Sequence, residues 1–175
     1  LVNPGMDPDD ELNQHMRERL YVLYDVEDPA DIQDLPWPNP DDPEWWRTVD
    51  EQCQSVRESD RIVVGQLACT IFERAWYIRG MDRLMMDMLD DHPVGRWLVD
   101  FYADEAARRV ARYVRHGVDM VHLGDDVATQ QALMFSKDLW HEWIRPGMEK
   151  VVRTVRENEH HHPDGRVWIS YHSDG

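Results

Sequence analysis

Gly117-Val118-Asp119-Met120-Val121-His122-Leu123-Gly124-Asp125-Asp126-Val127-Ala128-Thr129-Gln130 is the stretch that decides the fold. Its apolar centre predicts a short buried strand over 119–123. Gly117 stops a helix just before it, and two adjacent carboxylates, Asp125 and Asp126, follow it directly. Side chains alternate along a strand, so the two acids cannot both point the same way.

Working outward, the same texture repeats on either side. Upstream, the run Arg61-Ile62-Val63-Val64-Gly65-Gln66-Leu67 reads as a first buried strand. Helices are expected over 70–79, stopped by Gly80, over 82–89, and from His92-Pro93 to His116. Trp97, Phe101, Ala107, Val110 and Val114 mark the inner face of the last. Downstream, Ser136 is an N-cap for a helix over 137–157 that Pro146 should kink or divide. His160-His161-His162-Pro163-Asp164-Gly165 reads as a loop and Arg166 to Tyr171 as a third strand.

Strand, helices, strand, helices, strand is an α/β pattern with a parallel sheet. No Gly-x-Gly-x-x-Gly follows a strand, so there is no dinucleotide fingerprint. Polar residues collect just past each strand: Gln66 and Thr70, Asp125 and Asp126, His172 and Asp174. That is where a (β/α)8 TIM barrel builds its site. A closed barrel takes about 250 residues. A chain of 175 is therefore expected to hold a partial barrel of about three βα units and to continue past Gly175.

The first third differs. Seven prolines precede residue 44, and residues 1–60 carry 17 Asp/Glu against 4 Lys/Arg, most of a net charge of −16. The expected division is an acidic arm and helix over 1–60, then barrel over 61–175. Within the arm, a short helix fits 9–20, Trp37 anchors an extended segment, and Asp42-Pro43-Glu44 starts a helix running to Arg57. The charge argues against nucleic acid as a partner. No membrane span or signal sequence is visible, and Cys53 and Cys69 read as reduced thiols, so a cytoplasmic protein is expected.

The site residues each have a bland alternative. Asp125 and Asp126 can position a ligand or hold a metal; they can also cap a helix or pair with Arg145. His172 and Asp174, two apart on one strand face, suit a metal ion or a proton-transfer pair. Glu73 faces either the mouth or an ion pair with Arg74 or Arg79. Gln66 and Thr70 donate to ligand or serve structure, and Trp76 is a ligand wall or core. Met81, Met85, Met86 and Met88 read as packing.

Several of these residues together resemble one family. Gly117-Val118-Asp119 with Gly124-Asp125-Asp126, Thr129 and Gln130 form the first part of the likeness. Phe135-Ser136, Leu139-Trp140, Trp143-Ile144 and Pro146 continue it, and His172-Ser173-Asp174-Gly175 closes it. Glu73, Ala75-Trp76, Arg79-Gly80 and Trp37-Pro38 with Pro40-Asp41-Asp42-Pro43 fit the same pattern. The whole resembles the uroporphyrinogen decarboxylase superfamily over roughly 35–175. The resemblance implies a (β/α)8 barrel and one of two chemistries. One is decarboxylation of uroporphyrinogen III in porphyrin biosynthesis, without metal or cofactor. The other is methyl transfer between a corrinoid, or its carrier protein, and a thiol, with zinc held by His-x-Cys and a later Cys.

Here His172-Ser173-Asp174 puts a carboxylate in the place of the first thiolate, and the decarboxylase's arginine motif is not in this stretch. The strand-end motifs are closer to the methyltransferase side. The resemblance implies Asp125, Asp126, His172 and Asp174 as catalytic, and Gln66, Thr70, Glu73 and Trp76 as substrate-binding. It implies zinc at His172 and Asp174, a corrinoid as co-substrate, a tetrapyrrole or methyl donor as ligand, and a homodimer. A non-catalytic binding barrel is the remaining alternative.

Overall fold

A computed structural model describes residues 21–174; the helix expected over 9–20 lies outside them. Leu23 and Ile32 of the arm are buried, and Asp28 caps a 3-10 turn at Pro29–Asp31 by accepting from the Ala30 N–H (2.8 Å). Helix α1 (Pro43–Trp46) begins as the sequence dictates, with Asp42 accepting from the Glu44 N–H at 3.0 Å and Pro43 in the first turn. The single helix expected over 43–57 is in fact two, α1 and α2 (Val49–Arg57). The break follows the burial of Trp46: its indole donates to the Pro40 carbonyl (2.8 Å) and its ring stacks on His116.

The barrel-like part then runs β1 (Val64–Leu67), α3 (Phe72–Arg79), α4 (Met81–Asp90), α5 (Pro93–Arg115) and β2 (Met120–Gly124). It continues through α6 (Lys137–Leu139), a π-helical turn at Trp140–Ile144, α7 (Arg145–Asn158) and β3 (Trp168–His172). Ser136 caps α6 as expected, accepting from the Leu139 N–H at 3.2 Å. Pro146 has no N–H for the carbonyl of Glu142 four residues back. The helix adjusts by one π turn, and Arg96 donates to that carbonyl instead (3.4 Å). Gly117, at φ +78°, ends the turn after α5 in the left-handed conformation that glycine favours.

The three strands are parallel, in the order β1-β2-β3. Their register pairs Gly65 with Val121 and Ile169, and Leu67 with Leu123 and Tyr171. This set faces the helices. Leu67, Val121 and Leu123 are buried beneath Ala106, Ala107, Val110 and Val114 of α5 and Val151 and Val155 of α7. Each fully buried Val or Leu among them contributes about 1.5–3 kcal/mol. A second cluster joins α3, α4 and α5 through Phe72, Ala75, Leu84, Met88, Leu98 and Tyr102, and takes in Leu23 and Ile32.

Several expectations shift in detail. The first strand starts at Val64 rather than Arg61, because the Val63 N–H is taken by the Asp119 side chain (2.6 Å). The second and third strands each end one residue later than expected, at Gly124 and His172. The histidine run is a short 3-10 turn with one buried member: Asp164 N–H donates to His162 Nδ1 (3.1 Å), leaving Nε2 to donate to Asp119 (3.1 Å). Asp119 therefore ties the starts of β1 and β2 to the turn leading into β3. On α5, Trp97 and Phe101 are only partly buried and cradle Trp37, which they contact at 5.3 and 4.7 Å between centroids. Of the methionines, Met88 is buried, but Met86 is 50% exposed and packs little.

Among the described residues no helix is long and apolar enough to cross a membrane.

Candidate functional site

Among the described residues no helix covers the other face of the sheet. Its rows, by register, are Val64 with Met120 and Trp168, then Gln66 with His122 and Ser170, then Gly124 with His172. Val64 and Trp168 are exposed, and Gln66 and His172 are open to solvent. In a (β/α)8 arrangement this is the inner face, and its upper rim is formed by the residues just past the strand ends.

Strand alternation separates the two aspartates, as their adjacency requires. Asp125 is fully buried and turns away from the rim. Both its oxygens accept from Ile71 N–H (3.1 and 2.9 Å), and one also accepts from Glu73 N–H (3.1 Å). It thus caps α3, the helix after β1, rather than the next helix in the chain. Burial pushes its carboxyl up to about 6, against the lowering effect of those backbone N–H groups. Asp125 holds the β2 loop to the start of α3. The pairing of these acids with Arg145 does not occur, since Arg145 bonds Glu149 at 2.7 Å.

Asp126 faces the rim, where it meets His172 and Asp174. Its Oδ1 accepts from the Asp174 N–H (3.1 Å) and lies 3.8 Å from His172 Nε2. Asp174 Oδ1 lies 3.5 Å from the same nitrogen. One ligand atom from each of the three falls within 4.8 Å of the others. Both distances from the imidazole exceed a sound hydrogen bond. They are close to the separation of about 3.3–3.6 Å that donors sharing a tetrahedral cation adopt at bond lengths of 2.0–2.2 Å. One imidazole nitrogen and two carboxylate oxygens suit zinc or a harder divalent ion.

Glu73 supports this rim. It is 8% exposed, and its carboxylate accepts from the Asp126 N–H (3.2 Å) and the Tyr77 hydroxyl (3.2 Å). It pairs with neither arginine considered for it. Arg74 is bonded to Glu105, and Arg79 is buried against Asp87 (2.7 Å) while donating to the Leu23, Tyr24 and Val26 carbonyls. Thr70 is buried and ties the two strand ends together, donating to Leu67 O (2.8 Å) and accepting from Gly124 N–H (3.2 Å). Gln66 is open on the inner face. Trp76 packs partly buried against the α3–α5 cluster, with its indole N–H buried and without a hydrogen-bond partner among the described residues.

The rim is acidic. Among the described residues no Lys or Arg forms an ion pair with Glu73, Asp125, Asp126 or Asp174. The Tyr171 phenol, which donates to Asp125 O (3.0 Å), registers this: burial, then the carboxylates of Asp125, Asp126 and Glu73, push it up to about 12.

Three residues of this region escaped the sequence reading. Tyr77, rather than its neighbour Trp76, reaches Glu73, and its hydroxyl sits 3.7 Å from Cys69 Sγ. His122 and Ser170 face each other across β2 and β3, Nδ1 to Oγ at 2.8 Å. Strand alternation offered a signal for the last pair, since His122 shares parity with Gly124 and Asp126, and Ser170 with His172 and Asp174. A groove of about 450 Å³ lies on the opposite, helix-covered face, lined by Leu133, Trp140, Met148, Val152, Ile169 and Tyr171, and reaches Ser173 between His172 and Asp174.

Comparison with known proteins places the chain. The uroporphyrinogen decarboxylase (URO-D) family model matches residues 16–175. No curated protein sequence matches significantly. Among solved structures, a methyltransferase from Methanosarcina mazei is similar in fold, with a TM-score of 0.56 and 17% identity over 74% of this chain. The match covers 35% of that protein's chain. The three-stranded parallel sheet, its helical crossovers and a family match over nearly all of the sequence lead to one conclusion: this chain belongs to the uroporphyrinogen decarboxylase family and forms part of its TIM barrel.

Proposed function

We propose that this chain supplies the metal-binding part of a methyltransferase-like active site, with a corrinoid as co-substrate and a corrinoid carrier protein as partner. The observation that carries the reading is the convergence of Asp126, His172 and Asp174 at the strand ends. His172 and the two carboxylates would hold a divalent ion, zinc being the one used by the methyltransferase branch that the sequence resembles. Such an ion would lower the pKa of a thiol acceptor and keep it as the nucleophilic thiolate. The residues around it fix the donors. Glu73 holds the Asp126 backbone, the Asp174 N–H orients the Asp126 carboxylate, and Asp125 anchors the loop that carries both acids.

Charge favours this reading over decarboxylation of uroporphyrinogen. A polycarboxylate substrate entering this rim would meet Glu73, Asp126 and Asp174 with no paired cation among the described residues. A corrinoid, whose periphery is largely uncharged amide, meets no such penalty.

The test incubates the full-length protein with a methylated corrinoid and a thiol, following the corrinoid absorption, and in parallel with uroporphyrinogen III, following carbon dioxide release. Metal-dependent demethylation that is lost in His172→Ala supports the proposal. Metal-independent decarboxylation with no demethylation overturns it.

A further inference from the structure

The interior of a (β/α)8 barrel is ordinarily filled by layers of bulky branched aliphatic side chains. The inward-facing row just below the rim is different here. Gln66, His122 and Ser170 stand in one row across all three strands, above an apolar row of Val64, Met120 and Trp168. The His122 ring is fixed by Ser170 at 2.8 Å, and both residues are only partly buried. In the next row up, β2 contributes Gly124, where an added Cβ would lie 2.2 Å from the Ala68 carbonyl oxygen. A side chain is excluded there, so nothing from β2 itself stands between His122 and the rim.

A polar row on the inward face, with Gln66 open and His122 and Ser170 only partly buried, presents hydrogen-bonding groups that a ligand can reach. We propose that the ligand cavity continues one row below the rim, and that Gln66, His122 and Ser170 line its floor. The floor takes an uncharged hydrogen-bonding group of the ligand, such as an amide or alcohol. The three side chains offer donors and acceptors but no fixed positive charge. The carboxylates of Asp126 and Asp174 stand above them, so a carboxylate or phosphate is disfavoured. The inference rests on the strand-end face being the site, but not on a metal being bound there.

The test uses a matched pair of probes, acetamide and acetate, titrated into the full chain while the side-chain NMR signals of His122 and Gln66 are followed. Acetamide is expected to shift both signals saturably, and acetate at equal concentration to leave them nearly unchanged. Ser170→Ala, which releases the ring, and Gln66→Leu, at an exposed position that folding tolerates, each weaken acetamide binding about fivefold, the worth of one hydrogen bond. Equal binding of acetate, no saturable shift with either probe, or unchanged acetamide affinity in the folded Gln66→Leu chain overturns the floor. Cobalt(II) absorption recorded on the same samples reports separately on the rim. Cobalt binding without acetamide binding sinks this inference alone, and the reverse sinks the metal reading alone.

Discussion

Replacing Asp125 by Asn should change the pH dependence of stability more than the stability itself. Asp125 is fully buried, and burial outweighs three hydrogen bonds from Ile71 and Glu73 N–H to lift its carboxyl to about 6. The folded state therefore holds this proton more tightly than the unfolded chain. The sign follows from linkage: a raised acid contributes stability that is fully present below about pH 4 and is lost as pH climbs through about 6. A displacement of that size is worth roughly 3 kcal/mol. Asparagine keeps one acceptor for the α3 N–H groups and has no proton to lose. At pH 7 the wild type and Asp125→Asn should lie within about 1 kcal/mol of each other. At pH 4 the wild type should gain on the variant by about 2–2.5 kcal/mol, since the unfolded carboxyl is itself partly protonated there. Urea denaturation of both proteins at pH 4, 5, 6 and 7 isolates the effect, because every other titrating group is common to the pair. A difference that stays constant across the range would refute the reasoning.

Two other substitutions test the supports of the fold and the rim. Arg79→Ala leaves Asp87 buried without its partner and removes the donor to the Leu23, Tyr24 and Val26 carbonyls, so it should cost about 3–5 kcal/mol. Thermal unfolding measures that loss, and limited proteolysis should show early cleavage near residues 21–26; an unchanged Tm would count against the clamp. Glu73→Ala frees the Asp126 backbone and the Tyr77 hydroxyl, and should weaken metal binding about tenfold while leaving the three donors in place. Calorimetric titration with zinc checks this, and an affinity equal to wild type would remove Glu73 as a positioning residue.

Much of the architecture was legible because hydrophobic period and helix-end chemistry agreed. Asp42-Pro43, Ser136 and Gly117 did what their backbone preferences require, and the three apolar runs became three parallel strands. What escaped was decided by contacts distant in sequence. The break after Trp46 depends on Pro40 and His116, and the late start of β1 depends on the side chain of Asp119. At the rim, alternation foretold that Asp125 and Asp126 would part. It could not say which would be buried, because that depends on where the α3 N-terminus lies. Arg79 looked like a partner for Glu73 on the same helix, yet the buried Asp87 and three arm carbonyls claim it. His122 and Ser170 drew no notice because each is unremarkable alone; only the strand register brings them together.

The central claim is that Asp126, His172 and Asp174 hold one divalent ion. Anomalous scattering at the zinc edge, on crystals of the full-length protein grown with zinc, tests it most directly. The account predicts a single strong peak bounded by His172 Nε2 and the carboxylates of Asp126 and Asp174, absent in His172→Ala. Zinc seated elsewhere on the barrel, or a peak undiminished in that variant, would contradict it.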